Sequence, residues 1–124
     1  MPITFEVDHE KAVVFISATG IVTLSEILAN LKERKDAGIS CYSQLVDASD
    51  VQLDLSLRDL PKIAAETRKS TRGENIPKIA IVTDSFYFRA IAMAYAGLMR
   101  ADTPDFKIFK GIAPARAWIL PDSG

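Results

Sequence analysis

The sequence predicts an α/β fold, in which one single-layer, mixed and mostly parallel sheet of five strands carries helices in the order ββαβαβαβα. Two strand-like segments open the chain, and after them amphipathic helical segments alternate with short apolar runs. No internal repeat or long polar linker divides the sequence. Because 124 residues are enough to bury one core, we expect a single domain over residues 1–124.

The composition is that of a globular protein without disulfides. Hydrophobic residues make up 48% and charged residues 25% of the chain, so global disorder is not expected. The 15 basic and 16 acidic residues nearly cancel, which argues against binding nucleic acid or an anionic membrane. Cys41 is the single cysteine, and we find neither a signal peptide nor the roughly 18 apolar residues of a membrane span. We therefore expect a cytoplasmic protein without stable membrane insertion.

The first two strands follow from the apolar pattern near the N-terminus. Ile3, Phe5 and Val7 alternate with polar residues, which is typical of an edge strand with one solvent-exposed face. Residues 12–18 are nearly all apolar, so this segment should lie deeper in the sheet, antiparallel to the first. Residues 19–20, Thr-Gly, are then expected to turn the chain.

The first helix is predicted over residues 24–37. Thr23 and Glu26 have the spacing of a capping box, in which each side chain satisfies a free backbone N–H at the start of a helix. Gly38 can adopt the left-handed conformation that ends a helix. Between these signals runs an apolar stripe at helical spacing, formed by Leu24, Ile27, Leu28 and Leu31.

A short buried strand is predicted at residues 45–48, with a polar turn at residues 49–50. The next helix starts near Ser56, and the sequence allows two alternatives for how it begins. Ser56 is its N-cap, or a tight turn at Ser56 precedes a helix entered near Asp59, because Pro61 is unfavourable in an ordinary first turn. In both alternatives the core-facing residues are Leu60, Ile63, Ala64 and Thr67.

The last third of the chain contains two further strands and two helices. Residues 79–82 predict a central parallel strand that leads into a polar N-cap segment. The helix predicted over residues 86–100 is rich in alanine, which permits close approach to a sheet or to a second subunit. Residues 102–105 are expected to form a loop, residues 106–109 an alternating edge strand, and Pro114 the start of the last helix.

The element order, with residues 45–51 leading into a Ser-capped helix, resembles the STAS-like domains, the fold of bacterial anti-sigma-factor antagonists. Residues 78–82, 106–109 and 115–119 resemble a STAS/Sec14-like branch of that group. The resemblance implies a non-enzymatic regulatory or protein-binding module. The antagonists carry Asp-Ser-Ser-Gly, with a phosphorylatable Ser, where residues 55–58 here read Leu-Ser-Leu-Arg. The phosphoswitch of the antagonists is therefore not expected.

The residue types and their spacing give little support for a catalytic function. His9, the only histidine, falls in a charged hairpin tip and is expected to be a solvated turn residue. Cys41 precedes a strand, where a partly buried, unreactive thiol is expected. One Cys and one His cannot form a Cys/His zinc site, and the common nucleotide-binding and zinc-protease motifs are absent from the sequence. We expect no catalytic residue, no metal and no cofactor.

Polar residues cluster after two of the predicted strands, where the carboxyl ends of parallel strands share one edge of the sheet. Asp47 is the strongest candidate, because a carboxylate in an apolar strand needs a hydrogen-bond partner or a functional reason. Capping or turn formation alone would account for the serines and Asp84. Helix N-termini attract anions here while the acids repel them, so we expect cationic or hydrogen-bond-donating partners. The candidate binding edge comprises Asp47, Ser49, Asp50, Ser56, Asp84 and Ser85.

Aromatic residues on the helix at 86–100 suggest an apolar surface. Phe86, Tyr87 and Phe88 point about 100° apart in succession, so at least one of them should be exposed. The alternative is ordinary core packing with partial exposure. The candidate apolar contact surface comprises Phe86, Tyr87, Phe88, Tyr95 and Met99.

The first functional expectation is a module that binds a protein partner, still unknown, and self-associates as a homodimer. The alternative is a carrier or sensor of an apolar small molecule or lipid, held between the helix at residues 86–100 and its neighbours. A deep cavity lined by Tyr87, Tyr95 or Met99 would favour the carrier, whereas a flat apolar patch would favour the partner module. A small enzyme is the third choice.

Overall fold

A computed structural model describes residues 2–103 and 105–120. The strands are β1 (Ile3–Asp8), β2 (Val13–Thr23), β3 (Ser43–Asp54), β4 (Lys78–Val82) and β5 (Asp105–Phe109). The helices are α1 (Leu24–Asp36), α2 (Leu60–Thr71), α3 (Phe86–Leu98) and α4 (Ile112–Ile119), and a single 3-10 turn (Leu57–Asp59) precedes α2. This order confirms the predicted ββαβαβαβα pattern.

The five strands form one sheet in the order β1-β2-β3-β4-β5. β1 pairs antiparallel with β2, and all other neighbours are parallel. The mostly parallel sheet with one antiparallel edge is therefore confirmed. β5 begins at Asp105, inside the predicted loop, and Pro104 of that loop lies outside the described residues.

The helices cover the two faces of the sheet unequally. On one face, Ile79 and Ile81 of β4 pack with Ala92 of α3, beside the apolar residues of α1 and α2. On the other face, Val82 packs with Ala115, because consecutive residues of a strand point to opposite faces. Helices α1, α2 and α3 thus share one core, and among the described elements α4 is the helix that covers the other face.

β2 and β3 are longer than predicted. β2 continues through Thr19 and Gly20, where a turn was expected, because its backbone stays paired with β3. The left-handed φ of +72° at Gly20 suits glycine. Residues 19–23 of β2 pair with residues 50–54 of β3 beyond the last β3–β4 pair, Asp47 with Val82. We call this two-stranded extension the ribbon.

The helix boundaries follow the capping residues. At the start of α1 the Thr23 hydroxyl accepts a hydrogen bond from the backbone N–H of Glu26 at 3.4 Å. The Glu26 carboxylate accepts one from the backbone N–H of Thr23 at 2.9 Å, so the predicted capping box is confirmed. α2 follows the second alternative, a tight turn and then a helix with Pro61 in its first turn. The predicted core-facing residues Leu60, Ile63, Ala64 and Thr67 are all buried.

The other two helices differ slightly from prediction. α3 ends at Leu98 rather than at residue 100, and α4 begins at Ile112 rather than at Pro114. Among residues 2–103 and 105–120, no helix combines the length and apolar character needed to cross a membrane.

Candidate functional site

Asp47 lies within β3, and a neighbour satisfies its carboxylate. Oδ1 of Asp47 accepts hydrogen bonds from the backbone N–H of Ser49 at 3.2 Å and from the Ser49 hydroxyl at 2.7 Å. In the sheet, Asp47 pairs with Ser17 of β2 and with Val82, the last residue of β4. The end of β4 therefore lies beside Asp47, as expected if the two strands pair in parallel.

Ser49 and Asp50 do not form a turn after the strand, so that prediction was wrong. Ser17 pairs with Asp47 and Thr19 with Asp50, which gives β3 one more residue than β2 across this interval. Such a β-bulge lets the strand continue while it re-aims the nearby side chains. Both Ser49 and Asp50 are exposed on the strand.

Asp84 and Ser85 follow β4 directly and start α3. The Ser85 hydroxyl accepts from the backbone N–H of Phe88 at 3.2 Å, which confirms the predicted N-cap. Asp84 is exposed. A groove of about 310 Å³ runs past these residues, and its lining carries Arg89 and Lys110 as well as Asp84. The edge therefore presents both signs of charge at this point.

Ser56 stands just beyond the ribbon. Its backbone N–H donates to the Asp59 carboxylate at 2.9 Å, and its hydroxyl donates to the same oxygen at 3.4 Å. The hydroxyl of Tyr87 donates to the backbone carbonyl of Leu55. This bond joins the first turn of α3 to the segment that holds Ser56, so both belong to one region of the surface.

The candidate apolar surface divides into an exposed and an inward part. Phe86 is 91% exposed and Tyr87 50% exposed, and Leu57 in the 3-10 turn is 64% exposed. Phe88 is half-buried and packs beside Ile79 and its neighbours. Only Phe86 and Tyr87 of the predicted aromatic group thus present large apolar area to solvent.

Tyr95 and Met99 point inward, contrary to the predicted surface role. Met99 is 1% exposed and belongs to the core. Tyr95 is half-buried, and its hydroxyl lies 2.9 Å from the hydroxyl of Thr67. Burial raises the pKa of Tyr95, a shift that the Thr67 hydrogen bond and the charges of Arg34 and Arg68 partly oppose.

Two buried polar residues were not identified in the sequence analysis. Asn30 and Arg34 of α1 are only 6% and 7% exposed. They are four residues apart and therefore share one side of the helix with Ile27 and Leu31. A polar pair at this spacing beside an apolar stripe is the signal that could have identified them.

His9 and Cys41 lie away from the candidate binding edge. His9 is in the exposed β1–β2 connection, where its Nδ1 is 3.0 Å from the Tyr42 hydroxyl. Cys41 precedes β3, so both residues lie at the amino end of the parallel strands. Neither can supply acid–base or nucleophilic chemistry to Asp47 or Asp84 at the opposite end.

No family model matches the sequence, and no curated protein matches it. The structure is similar to the crystal structure of an uncharacterised protein of the DUF3478 family, with a SpoIIAA-like fold, from Shewanella loihica PV-4. The two proteins share 21% identity with a TM-score of 0.58, and the match covers 94% of this chain and 91% of the other. The chain therefore has the SpoIIAA-like fold, which is that of the STAS domains.

Proposed function

We propose that this protein is a non-enzymatic regulatory module that binds a protein partner in the cytoplasm through the candidate binding edge. The SpoIIAA-like fold supports the general class. The observation that carries the proposal is Phe86, which begins α3 at this edge and is 91% exposed. Large aromatic side chains are the residues that most often anchor protein–protein interfaces.

The surroundings of Phe86 suit a protein interface. Tyr87 and Leu57 add partly exposed apolar surface in the region joined by the bond between Tyr87 and Leu55. Exposed acids, including Asp50 and Asp84, provide a polar rim. An apolar centre with a charged rim is the usual anatomy of an interface. Because Arg89 and Lys110 also line the groove at Phe86, this rim suits a partner that brings groups of both charges rather than basic groups alone.

The proposed binding does not use the antagonist phosphoswitch. Ser56 is the serine that matches the antagonist motif, and its hydroxyl is 3.4 Å from the Asp59 carboxylate. A phosphate on Ser56 would place a second negative group beside that carboxylate, which disfavours the modification. Binding should therefore occur with unmodified Ser56.

Replacing Phe86 tests the proposal. The protein would be coupled to a support and incubated with extract of its native cells, and Phe86→Asp should lose the main bound protein because a charge replaces the apolar anchor. Leu98→Asp is the matched control, since Leu98 is 43% exposed at the opposite end of the same helix. Circular dichroism should show both variants folded. Equal recovery of that partner by Phe86→Asp and the wild type would contradict the proposal.

A second candidate function is a carrier or sensor of an apolar small molecule. It is favoured by a cavity of about 150 Å³ between the sheet and α1, lined mainly by apolar side chains. None of Tyr87, Tyr95 and Met99 lines this cavity, but Tyr95 lines a second cavity of about 130 Å³ beside it, which agrees in part with the predicted position. Native mass spectrometry of the protein from its own cell extract tests this function, because a retained small molecule appears as added mass.

A further inference from the structure

Buried polar groups line the cavity between α1 and the sheet. Its walls are mostly aliphatic, with Phe88 at one side, but Asn30, Arg34 and Gln44 also line it. A second cavity of about 130 Å³ shares Arg34 and Gln44 and extends toward α2 and α3. Arg34 thus lies where the two cavities meet.

Arg34 is a buried cation without a counterion. Its Nε donates to Oδ1 of Asn30 at 2.9 Å. Within the described part of the chain, no carboxylate forms an ion pair with Arg34, and no acceptor receives a hydrogen bond from its terminal nitrogens. Burial lowers the pKa of Arg34 to about 10, so the side chain remains charged at neutral pH. A buried charge is unfavourable unless it is paired.

Asn30 offers a second unused donor in the same place. Its Oδ1 accepts from Arg34, while its Nδ2 is buried and has no hydrogen-bond partner among the described residues. Buried polar groups without partners are rare in proteins. The guanidinium and this amide are therefore two donor groups at one wall of a mostly apolar cavity.

We propose that this cavity binds a small apolar monocarboxylate, whose carboxylate pairs with Arg34 and accepts from Asn30 while its hydrocarbon part fills the apolar walls. The inference rests on the second proposed function, the carrier or sensor, and names its ligand class. A guanidinium binds a carboxylate through two parallel hydrogen bonds. One buried cation balances one negative charge, and the few donors present would leave the oxygens of a phosphate dianion unsatisfied.

The size of the cavity limits the hydrocarbon part. An apolar cavity of about 150 Å³ holds a molecule of the size of benzene, and this cavity has that volume. Short aliphatic or monocyclic carboxylates therefore fit, whereas a long fatty chain would need the second cavity as well. Hexanoate is a suitable probe, and 1-hexanol is its neutral counterpart of equal chain length.

Titration calorimetry with hexanoate and with 1-hexanol tests the inference. The wild type should bind hexanoate at least about tenfold more tightly than 1-hexanol, about 1.4 kcal/mol. Arg34→Met should lose this preference and still bind 1-hexanol. Lys32→Met is the matched control, because Lys32 is on the same helix with its side chain 77% exposed, and it should bind like the wild type. Amide NMR signals of Val46 and Leu53 should shift with hexanoate, since both residues line the cavity.

The outcomes separate the inference from the function on which it rests. Equal wild-type affinity for the two probes would overturn the carboxylate assignment and leave the carrier function standing. Failure of both probes to bind would overturn both. If Arg34→Met does not fold, Arg34→Lys replaces it, and it should bind hexanoate at least about threefold more weakly because it lacks the planar fork. Unchanged hexanoate affinity in the folded variant would contradict the role of Arg34.

Discussion

At the scale of single residues, the setting of Cys41 suppresses its reactivity. Sγ of Cys41 lies 3.7 Å from the carbonyl oxygen of Thr71 and 3.6 Å from Oε2 of Glu74, and it can donate to either. Burial raises the pKa of the thiol, and the hydrogen bond and charge of Glu74 raise it further. Because the thiolate is the nucleophile, the raised pKa slows its reactions at neutral pH.

Glu74→Gln should therefore make Cys41 more reactive. Removing the negative charge lowers the thiol pKa toward its ordinary value, so a larger fraction is thiolate at neutral pH. We expect alkylation by iodoacetamide to become about threefold faster or more, and the rate-against-pH curve to move to lower pH. Glu66→Gln is the control, because Glu66 is an acid of α2 whose carboxylate pairs with Lys69, whereas the partners of the Cys41 thiol are Thr71 and Glu74. An unchanged rate in Glu74→Gln would show that Glu74 does not set the pKa.

Some features of the candidate site could be predicted from single residues and their neighbours in the sequence, and others could not. The Ser85 cap was predicted correctly because capping depends on neighbours along the chain. The Ser49 hydrogen bonds to Asp47 were missed because they come with a bulge, which depends on pairing with β2. The spacing of Arg34 indicates that it shares a side of α1 with the apolar stripe, but the helix sequence does not show how deeply the sheet buries that side.

At the scale of elements, the main error of the prediction was the position at which β2 and β3 end. Val51 and Leu53 are half-buried and alternate with exposed Gln52 and Asp54, a period-two signal of a strand. The polar residues before them are typical of turns, and for that reason the predicted strand ended too early. α1 was predicted almost correctly because its cap and its apolar stripe are local features. Pairing of the ribbon is not local, since it joins segments about thirty residues apart.

Two glycines in different elements allow a matched test of backbone conformation. Gly20 in the ribbon has a φ of +72°, and a Cβ there would meet nothing within 4 Å. Gly97 in α3 has equally open surroundings and no left-handed φ. Gly20→Ala should therefore destabilise the protein by about 1 kcal/mol, whereas Gly97→Ala should stabilise it by roughly 0.5–1 kcal/mol. Urea denaturation measures both, and the same sign for both variants would show that backbone conformation does not decide the outcome.

At the scale of the whole molecule, α3 and the edge strand β5 form a surface suited to self-association. Met93 is 57% exposed and Leu98 43% exposed on α3. A groove of about 500 Å³ between α3 and β5 is lined by Met93, Gly97 and Phe106, and its rim also carries the cations Arg89, Arg100 and Lys107. The outer side of β5 has no neighbouring strand in the described sheet, and an edge strand can pair with another chain. A second copy of this protein is the partner that we expect here.

Met93→Lys should shift the protein toward the monomer, because a charge would replace apolar surface at the centre of this contact. Sedimentation equilibrium at high micromolar concentration should show dimers for the wild type and for Ile112→Lys, a control on α4. A monomeric wild type at that concentration would rule out self-association. Dimers in Met93→Lys would place the contact elsewhere on the molecule.

The order of the strands in the sheet, β1-β2-β3-β4-β5, is also their order along the chain. Each strand after β1 therefore pairs with the one synthesised just before it. A short turn connects β1 to β2, and each later connection contains one α-helix, so every loop that has to close is short. Proteins whose contacts join nearby segments fold quickly. A chain leaving the ribosome can add each strand and its helix to an edge that already exists. The face that α4 covers is completed last, so the apolar side chains of Val13, Leu45 and Val82 remain without that cover until α4 has been made.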